Sequence, residues 1–530
     1  MPLRQRQEIN CVTMNTFKNR YYLYSLIAGV SMVLSLAPFN LFPVSYFSLA
    51  ALFYLLILSN NRRQTVKLSW AFGVGLFGAG SSWVFQSMYT FAQAPFLLAA
   101  LFTFLFVFAL ALQIGLYGLI ASFFTMYSRI TLLLFVYPAA WVLIEWTRGW
   151  LFTGFPWLYV GHSQIDTWFA HFAPVGGSLM VSWVVAIISG ALVVIFTLPN
   201  SSVGSRLNRT IGVGIITFLV GTAWYLSMKD WVVPNGETLK VSLLQGNIDQ
   251  EEKWLPENRV PSVERYMKMT RENWDSDLIV WPETAIPGRF ADFKDLVLKP
   301  MQQETLENNT NLLIGGFRET DSDQVENSAL VLGKSSTAVD FYSKRHLVPL
   351  GEYIPLLDYF RWLDRWINIP FNNLSQGADD GLLTIGKHQA QISICYEDAF
   401  GEEIIDDLPE ADYLVNVTND AWFSNTFQPY QHMQIARFRA LEAGRYLLRA
   451  TNTGLSGIID HNGKILQTIP AYEKGVVKGT ISILSGTTPY VKYGNYLVVL
   501  SCLLILMIVL VFMSTLARPT PESPNNGLNL

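Results

Sequence analysis

Eight stretches of this chain stay apolar for about twenty residues, the length a helix needs to cross the hydrocarbon core of a bilayer. They lie near 21–38, 41–59, 68–90, 95–126, 130–148, 172–198, 210–229 and 493–515. Pro38, Phe39 and Asn40 make a tight connection between the first two, where a single re-entrant hairpin is the alternative to two spans. From 236 to 485 the pattern changes. Short β-rich runs end in polar or Gly-rich turns: LKVSLLQGN (239–247), DLIVWPE (277–283), NLLIGGF (311–317), SALVLG (328–333), AQISICYED (390–398), YLVNVTND (413–420) and RYLLRATNTG (445–454). These predict strands, with helices between some of them at 258–274 and 431–443. The pattern predicts a multi-pass α-helical membrane bundle of about eight spans plus an α/β domain of about 250 residues. The expected divisions are a bundle of seven spans over 1–230, the α/β domain over 231–490, a last span over 491–516 and a short tail over 517–530.

Composition supports a membrane protein. Charged residues make up 15% of the chain, against about 25% in soluble domains. The net charge of −4 conceals an asymmetry: residues 1–235 hold 12 Lys and Arg against 4 Asp and Glu. The basic residues fall in alternate loops, Arg62, Arg63 and Lys67, then Arg129, then Arg206 and Arg209, while the loops between carry no Lys or Arg. The positive-inside rule puts the basic loops and both termini in the cytoplasm and 231–490 on the outer side. Arg4, Arg6, Lys18 and Arg20 precede the first run without a small-residue cleavage site after it, so that run reads as an uncleaved first helix. No basic, aromatic-interleaved patch points to nucleic acid. The three cysteines, Cys11, Cys395 and Cys502, exclude a disulfide framework, and no HxxxH or CxxC pair suggests a metal. No cofactor is implied.

Cys395 is alone in the polar segment, at the end of the strand-like ISIC and the start of the turn CYED. A free cysteine is commonly a small buried hydrophobe. In an oxidising outer compartment, though, an unpaired thiol is a flag for reactivity. Such a thiol needs a neighbouring base or cation. Glu283, just past a strand in LIVWPETAIP, is one candidate; its plain alternative is a helix cap or surface carboxylate. Lys344 in YSKRHLVPLGEYIP is another; alone, it reads as a solvated lysine. Glu352 and Glu397 are placed either to hydrogen-bond the lysine or to be simple surface acids.

Together these residues resemble the carbon–nitrogen hydrolase (nitrilase) superfamily: a Glu after a strand (WPE), a Lys with a basic and apolar run (KRHLVPLGE) and a Cys-aromatic-acid turn (CYED), in that order. RFRALEAGRYLLRATNTG and NDAWF resemble the superfamily's late helix–strand unit, and the likeness covers about half of the chain. A nitrilase-like domain between seven spans and an eighth is similar to the bacterial apolipoprotein N-acyltransferase family, and GNIDQEEKW, LVPLGEYIP, CYEDAF and TNDAWF resemble its local sequences. The resemblance implies an α-β-β-α sandwich and a two-step acyl transfer. Glu283 is then the general base and Cys395 the nucleophile. Lys344 and the Tyr396 N–H stabilise the oxyanion, with Glu352 and Glu397 in support. It implies a phosphatidylethanolamine-like phospholipid as acyl donor and the N-terminal diacylglyceryl-cysteine of a lipoprotein as acceptor. The implied location is the bacterial inner membrane, with the catalytic domain periplasmic. Trp254, Tyr353, Trp422, Phe423 and Phe427 are expected around a lipid entrance, or else in ordinary packing, and 353–375 as a lid. Two other readings stand beside this one: a membrane-tethered amidase using the same residues, and a transporter or scaffold with a dead domain. The spans show only Glu145 and Arg148 as a charged pair, near one end, which disfavours a transport path.

Overall fold

The computed structural model describes residues 20–197, 203–333, 340–353, 374–378, 380–423 and 425–516. The amino-terminal part is helical: α1 (20–32), α2 (Pro43–Ile57), α3 (Arg62–Gly80), α4 (Phe96–Ser122), α5 (Arg129–Arg148), α6 (Trp168–Thr197) and α7 (Val203–Ser227). Among the described residues four helices are long and apolar enough to cross a membrane: Phe96–Ser122, Arg129–Arg148, Trp168–Thr197 and Arg206–Ser227. The bent pair Arg62–Gly80 and Val84–Phe91 makes a fifth if it is one span. This is fewer than the eight expected. Helix α2 begins at Pro43 and has 15 residues, a rise of only about 22 Å. The described helical residues of α1 end at 32, where a 3₁₀ turn leads to the sharp connection at Asn40. The pair around 68–90 bends by 54° after Gly80.

Small residues bring these helices together, as expected where lipid removes the hydrophobic drive for association. A Cβ on Gly29 of α1 would run into the Phe72 carbonyl of α3, one on Gly75 of α3 into the Leu26 carbonyl of α1, and one on Gly190 of α6 into the Leu133 carbonyl of α5. Gly221 of α7, in contrast, has open space around it.

The second part is a sandwich of two six-stranded sheets. One has the order β12-β1-β2-β3-β4-β5 and the other β11-β10-β9-β8-β7-β6. The first comprises β1 (Val232–Gln245), β2 (Leu278–Val280), β3 (Asn311–Glu319), β4 (Val325–Leu332), β5 (Asp340–Ser343) and the returning β12 (Gly475–Gly486). The second comprises β6 (Leu382–Ile385), β7 (His388–Ile394), β8 (Tyr413–Thr418), β9 (Leu447–Thr451), β10 (Gly457–Ile459) and β11 (Ile465–Thr468). Three strands are parallel at the centre of each sheet: β1, β2 and β3, then β7, β8 and β9.

The period-two pattern explains the layers. Leu239, Val241, Leu243, Val280, Leu313, Ile392, Ile394, Val415 and Val417 meet between the sheets. Their sequence neighbours Leu244, Ile279, Trp281, Leu312 and Ile314 face outward onto helix α8 (Pro256–Arg271) through Val263, Tyr266 and Met267. Leu414, Leu447 and Ile459 face outward onto helix α9 (Gln428–Ala443) through Met433, Ala436 and Ala440. This is the expected α-β-β-α order. The last helix, α10 (Tyr496–Leu516), returns to the bundle, where Val498, Val499 and Cys502 pack with Ala139, Val142 and Leu143 of α5.

Helix α9 joins the two parts. Its sheet-facing residues are small, and its other face carries polar groups that bind the bundle. Gln431 Oε1 accepts from Trp83 Nε1 at 3.1 Å and Trp157 Nε1 at 2.8 Å. Gln434 Oε1 accepts from the Ala37 N–H at 3.2 Å, and Arg437 pairs with Asp166 at 2.5 Å. Helix α6 breaks at Gly176 and Gly177, the latter at φ +71°, and Glu442 Oε1 accepts from the freed Ser178 N–H at 2.6 Å. The expected charged pair Glu145 and Arg148 lies buried at 3.9 Å, with Glu145 Oε1 accepting from the Val160 N–H at 2.8 Å.

Gly190→Leu should force α5 and α6 apart and lower the thermal unfolding temperature in detergent. Gly221→Leu should leave it unchanged. Equal effects from the two substitutions would show that close helix approach is not what holds the bundle.

Candidate active site

Three strand ends converge on one cavity. Glu283 follows β2, Lys344 follows β5 and Cys395 follows β7. All three line a cavity of about 130 Å³, together with Trp254, Thr284, Phe317, Asn327, Val348, Leu350, Glu352, Leu374, Trp422 and Phe423. Ser87, Phe91 and Ala92, from the bent helix of the bundle, complete the wall. The cavity thus lies where the sandwich meets the membrane part.

Each residue is held by its own local device. β7 ends at Ile394, and Cys395 turns sharply out of it at φ +55°, opening the 3₁₀ turn Cys395–Ala399. Glu397 stabilises that turn by reaching back to the Ile394 N–H at 2.6 Å, as the third residue of a capping box does. Its oxygens also accept from the N–H groups of Arg345 at 2.7 Å and His346 at 3.0 Å and from the Tyr342 hydroxyl at 2.9 Å. Glu397 therefore ties the nucleophile turn to the Lys344 loop. It is a buried structural link, neither a surface acid nor the hydrogen-bond partner of Lys344. Asn416 of β8 donates to the Cys395 carbonyl at 3.2 Å.

Lys344 is buried, and its Nζ donates to Glu352 Oε1 at 2.8 Å. Glu352 Oε2 accepts from the Val348 N–H at 2.8 Å. Asn327 of β4 joins the carboxylates, donating to Glu283 Oε1 at 2.7 Å and Glu352 Oε1 at 3.2 Å. Glu283 Oε2 is buried with no hydrogen-bond partner. The turn behind it is tight: a Cβ on Gly315 of β3 would collide with Glu283 Cα and Thr284 N. Thr284 itself takes φ +47°, an unusual state for a β-branched residue. Lys253 supports it from beneath, with Nζ 2.7 Å from Thr284 Oγ1.

The charges are arranged against water. Burial pushes the Cys395 thiol well up; Glu283 adds to this and Lys344 opposes it. Burial also raises the Glu283 carboxyl and the neighbouring Glu352 adds to this, with Lys344 opposing. Burial works against the Lys344 ammonium, yet Glu352, Cys395, Glu283 and Glu397 outweigh it and hold the lysine charged. Lys253 is lowered by burial, against the pull of Glu283. The site brings together a thiol that burial holds protonated, a buried Glu283 carboxyl group with one free oxygen and a fixed ammonium. That set can take a proton from sulfur and stabilise an oxyanion.

Of the other expected residues, Trp254, Trp422 and Phe423 line the cavity. Trp422 packs edge-on against Phe91 and Phe423 against Trp83, both of the bundle. Tyr353 pairs with Pro349 in a β-bridge and is not among the lining residues. Phe427 packs against Phe39 at 5.2 Å instead of lining the cavity. The Tyr396 side chain turns to the bundle, donating to the Gly154 carbonyl at 3.0 Å and stacking on Trp157. Residues 354–373, most of the expected lid, lie outside the described residues. Lys253, Asn327 and Asn416 were not legible as site residues; their only signal was proximity in sequence to strand ends. Among the described residues no group of His, Cys, Asp and Glu is arranged to hold a metal.

The sandwich, with Glu283, Lys344 and Cys395 converging on one cavity, is of the carbon–nitrogen hydrolase type and is set on a membrane protein. Residues 240–488 match the carbon-nitrogen hydrolase family, and residues 28–191 match the apolipoprotein N-acyltransferase N-terminal domain. Relatives described as apolipoprotein N-acyltransferase include one from Methylococcus capsulatus, 40% identical over 89% of this chain and 92% of its own. Another, from Coxiella burnetii, is 38% identical over 92% of this chain and 99% of its own. A third, from Vibrio parahaemolyticus, is 36% identical over 89% and 94%. The chain belongs to the apolipoprotein N-acyltransferase family. It is an N-acyltransferase, and the amidase alternative is not favoured.

Because burial raises the Glu283 carboxyl, the group takes up its proton at a higher pH than an ordinary Glu, about 4.3. Modification of Cys395 should therefore slow as pH falls through that raised value. Glu283→Gln should slow it above that value, leave it near the wild-type rate below it, and so abolish this acid limb. A limb unchanged in Glu283→Gln would assign it to another group.

Proposed function

We propose that the chain completes lipoprotein maturation by moving an acyl chain from a phospholipid, through a thioester on Cys395, to the free α-amine of an N-terminal diacylglyceryl-cysteine. The observation that carries this reading is the shared wall of the cavity: Cys395, Glu283 and Lys344 face Ser87, Phe91 and Ala92 of the bundle. A thiol at such a boundary is placed to meet a lipid ester.

The sequence of steps follows from the geometry. Glu283 Oε2, free of other bonds, takes the thiol proton as sulfur attacks the ester carbonyl. A neutral thiol makes this transfer necessary, since little thiolate exists beforehand. The oxyanion is met by the Lys344 ammonium and the Tyr396 N–H, each worth about 3–4 kcal/mol where such a donor is lost. The C–O bond breaks, and the lysophospholipid leaves with the proton from Glu283. The acceptor amine then attacks the thioester. Glu283 takes the amine proton, the C–S bond breaks and the thiol is restored as the amide forms.

Both substrates are lipids, and a phosphatidylethanolamine-like donor fits an abundant membrane ester. We place the catalytic part, residues 231–490, on the periplasmic side of the inner membrane, on the strength of the basic loops at 62–67, 129 and 206–209. In this reading α1, α2 and α10 join the longer helices in an eight-span arrangement, with α2 packed into the bundle and α1 and α10 keeping an apolar outer face. Leu49, Leu52 and Phe53 of α2 are fully buried, consistent with that role.

Membranes given a phospholipid with a labelled acyl chain and no acceptor should accumulate label on the protein that neutral hydroxylamine removes. Cys395→Ala should carry none, and Glu283→Gln at least tenfold less at early times, the loss expected from removing a general base being about 10²–10⁴. Absence of label on the wild-type protein, in a preparation that turns over small amides, would overturn the phospholipid step.

A further inference from the structure

Behind the nucleophile turn lies a closed set of charges that the transfer steps do not use. Asp398 stands three residues after Cys395, Asp420 just past β8, His432 in α9 and Arg449 in β9. All four side chains are 0–1% exposed. His432 Nε2 lies 2.7 Å from Asp398 Oδ1, and Nδ1 lies 2.8 Å from Asp420 Oδ1. Arg449 closes the ring, with Nη1 2.9 Å from Asp398 Oδ2 and Nη2 3.1 Å from Asp420 Oδ2. Arg449 Nη1 also donates to Asn416 Oδ1 at 2.6 Å, and Asn416 holds the Cys395 carbonyl. Gln428, on the same helix as His432, donates to Asp420 Oδ1 at 3.3 Å, and the Trp157 ring of the bundle packs against the imidazole.

A neutral imidazole has one N–H and one lone pair. Between two carboxylates, each under 3 Å away, the lone pair would face a negative oxygen. Only the imidazolium donates to both. With it, two carboxylates face two cations and the set is neutral. Without it, one uncompensated negative charge would sit beside a thiol that has to give up a proton.

We propose that His432, as an imidazolium held between Asp398 and Asp420, is a positioning residue for acyl transfer: it cancels the second carboxylate charge behind Cys395 and fixes the turn that presents the thiol. This rests on Cys395 being the nucleophile. The electrostatics agree. Burial and Arg449 both work against a charged imidazole, yet Asp398 and Asp420 outweigh them and raise it above its ordinary value. Burial would raise Asp420, but His432 and Arg449 bring it to about 2. Asp420 is also among the charges that oppose ionisation of Cys395. A raised imidazole keeps its proton through and above the ordinary histidine range, about 6.5. The link is therefore present at neutral pH and is lost as pH rises through the raised value.

The test is the pH dependence of Cys395 alkylation by iodoacetamide in the full-length, detergent-solubilised protein, read at the Cys395 peptide. Wild type, His432→Gln and the double variant Asp420→Asn/His432→Gln are compared. The single substitution leaves a net negative charge and should shift the alkylation midpoint up by about one unit, a tenfold slower reaction below it. The double variant removes one charge of each sign and should return most of the way to wild type, which a merely structural histidine would not do. A wild-type profile in His432→Gln, or a double variant displaced as far as the single one, would overturn the proposal. Should His432→Gln not fold, nitrogen NMR of ¹⁵N-histidine wild-type protein decides. One ring still doubly protonated at a pH where the other histidines have become neutral is expected, and none overturns it. Alkylation needs no lipid, so a missing acyl label with this profile intact would count against the phospholipid reading alone.

Discussion

The arrangement depends on keeping one ammonium charged where there is almost no water. Lys344 is buried at the end of β5, and a lone buried ion costs several kcal/mol unless it is paired and hydrogen-bonded. Glu352 pairs with it at 2.8 Å, and the loop from 344 to 353 folds back so that Val348 can hold the other oxygen of Glu352. Asn327 then links Glu352 to Glu283, so the base is positioned by the group that neutralises the lysine. One pairing requirement thereby sets the geometry of a base and an oxyanion donor together. Glu397 extends it to Cys395, holding the Lys344 loop with Oε1 and the Cys395 turn with Oε2.

A second constraint is that the sandwich must stay registered with the membrane bundle. Helix α9 meets it by presenting two unlike faces. Its alanines lie flat on the second sheet, while Gln431, Gln434, Arg437 and Glu442 bind polar groups of the bundle. Glu442 is the clearest case. The break at Gly176 and Gly177 frees the Ser178 N–H within a membrane helix, where an unpaired donor costs several kcal/mol. The catalytic domain supplies the missing acceptor, so helix and domain are each incomplete without the other.

The sequence made the convergence of Glu283, Lys344 and Cys395 legible because all three sit at strand ends, where a period-two run gives way to a polar turn. WPE, the run from Lys344 to Glu352 and CYED all have that form. β2 and β7, which carry Glu283 and Cys395, were visible for the same reason. β5, β6, β10 and β11, three or four residues long, were not among the expected runs, and neither was the longer β12, whose exposed and buried positions do not alternate strictly. Apolar runs marked where the membrane helices lie but not how long each is: Pro43 cuts one short and the bend after Gly80 folds another. Asp398, Asp420, His432 and Arg449 were illegible as a unit because they come from four elements, and nothing in their spacing shows that they meet. Tyr353, next to Glu352, does not line the cavity, since an aromatic residue beside a site residue need not face it.

The size of the cavity bears on how a lipid substrate is handled. At about 130 Å³ it is smaller than the roughly 300–1,000 Å³ typical of sites that enclose a small molecule. It has room for reacting atoms around Cys395 and not for a diacyl lipid. The acyl chains of the proposed lipid donor would then stay outside, and each methylene drawn from a bilayer into water costs about 0.8 kcal/mol. The economical solution is to leave the chains among apolar groups and bring only the ester inward. The cavity wall fits that: Phe91 of the bent helix meets Trp422, and Trp83 meets Phe423, so aromatic rings run without interruption from the bundle to the site. In the proposed reaction the same rings would also keep water from a thioester on Cys395, so the bend after Gly80 would serve both lipid access and the survival of that intermediate.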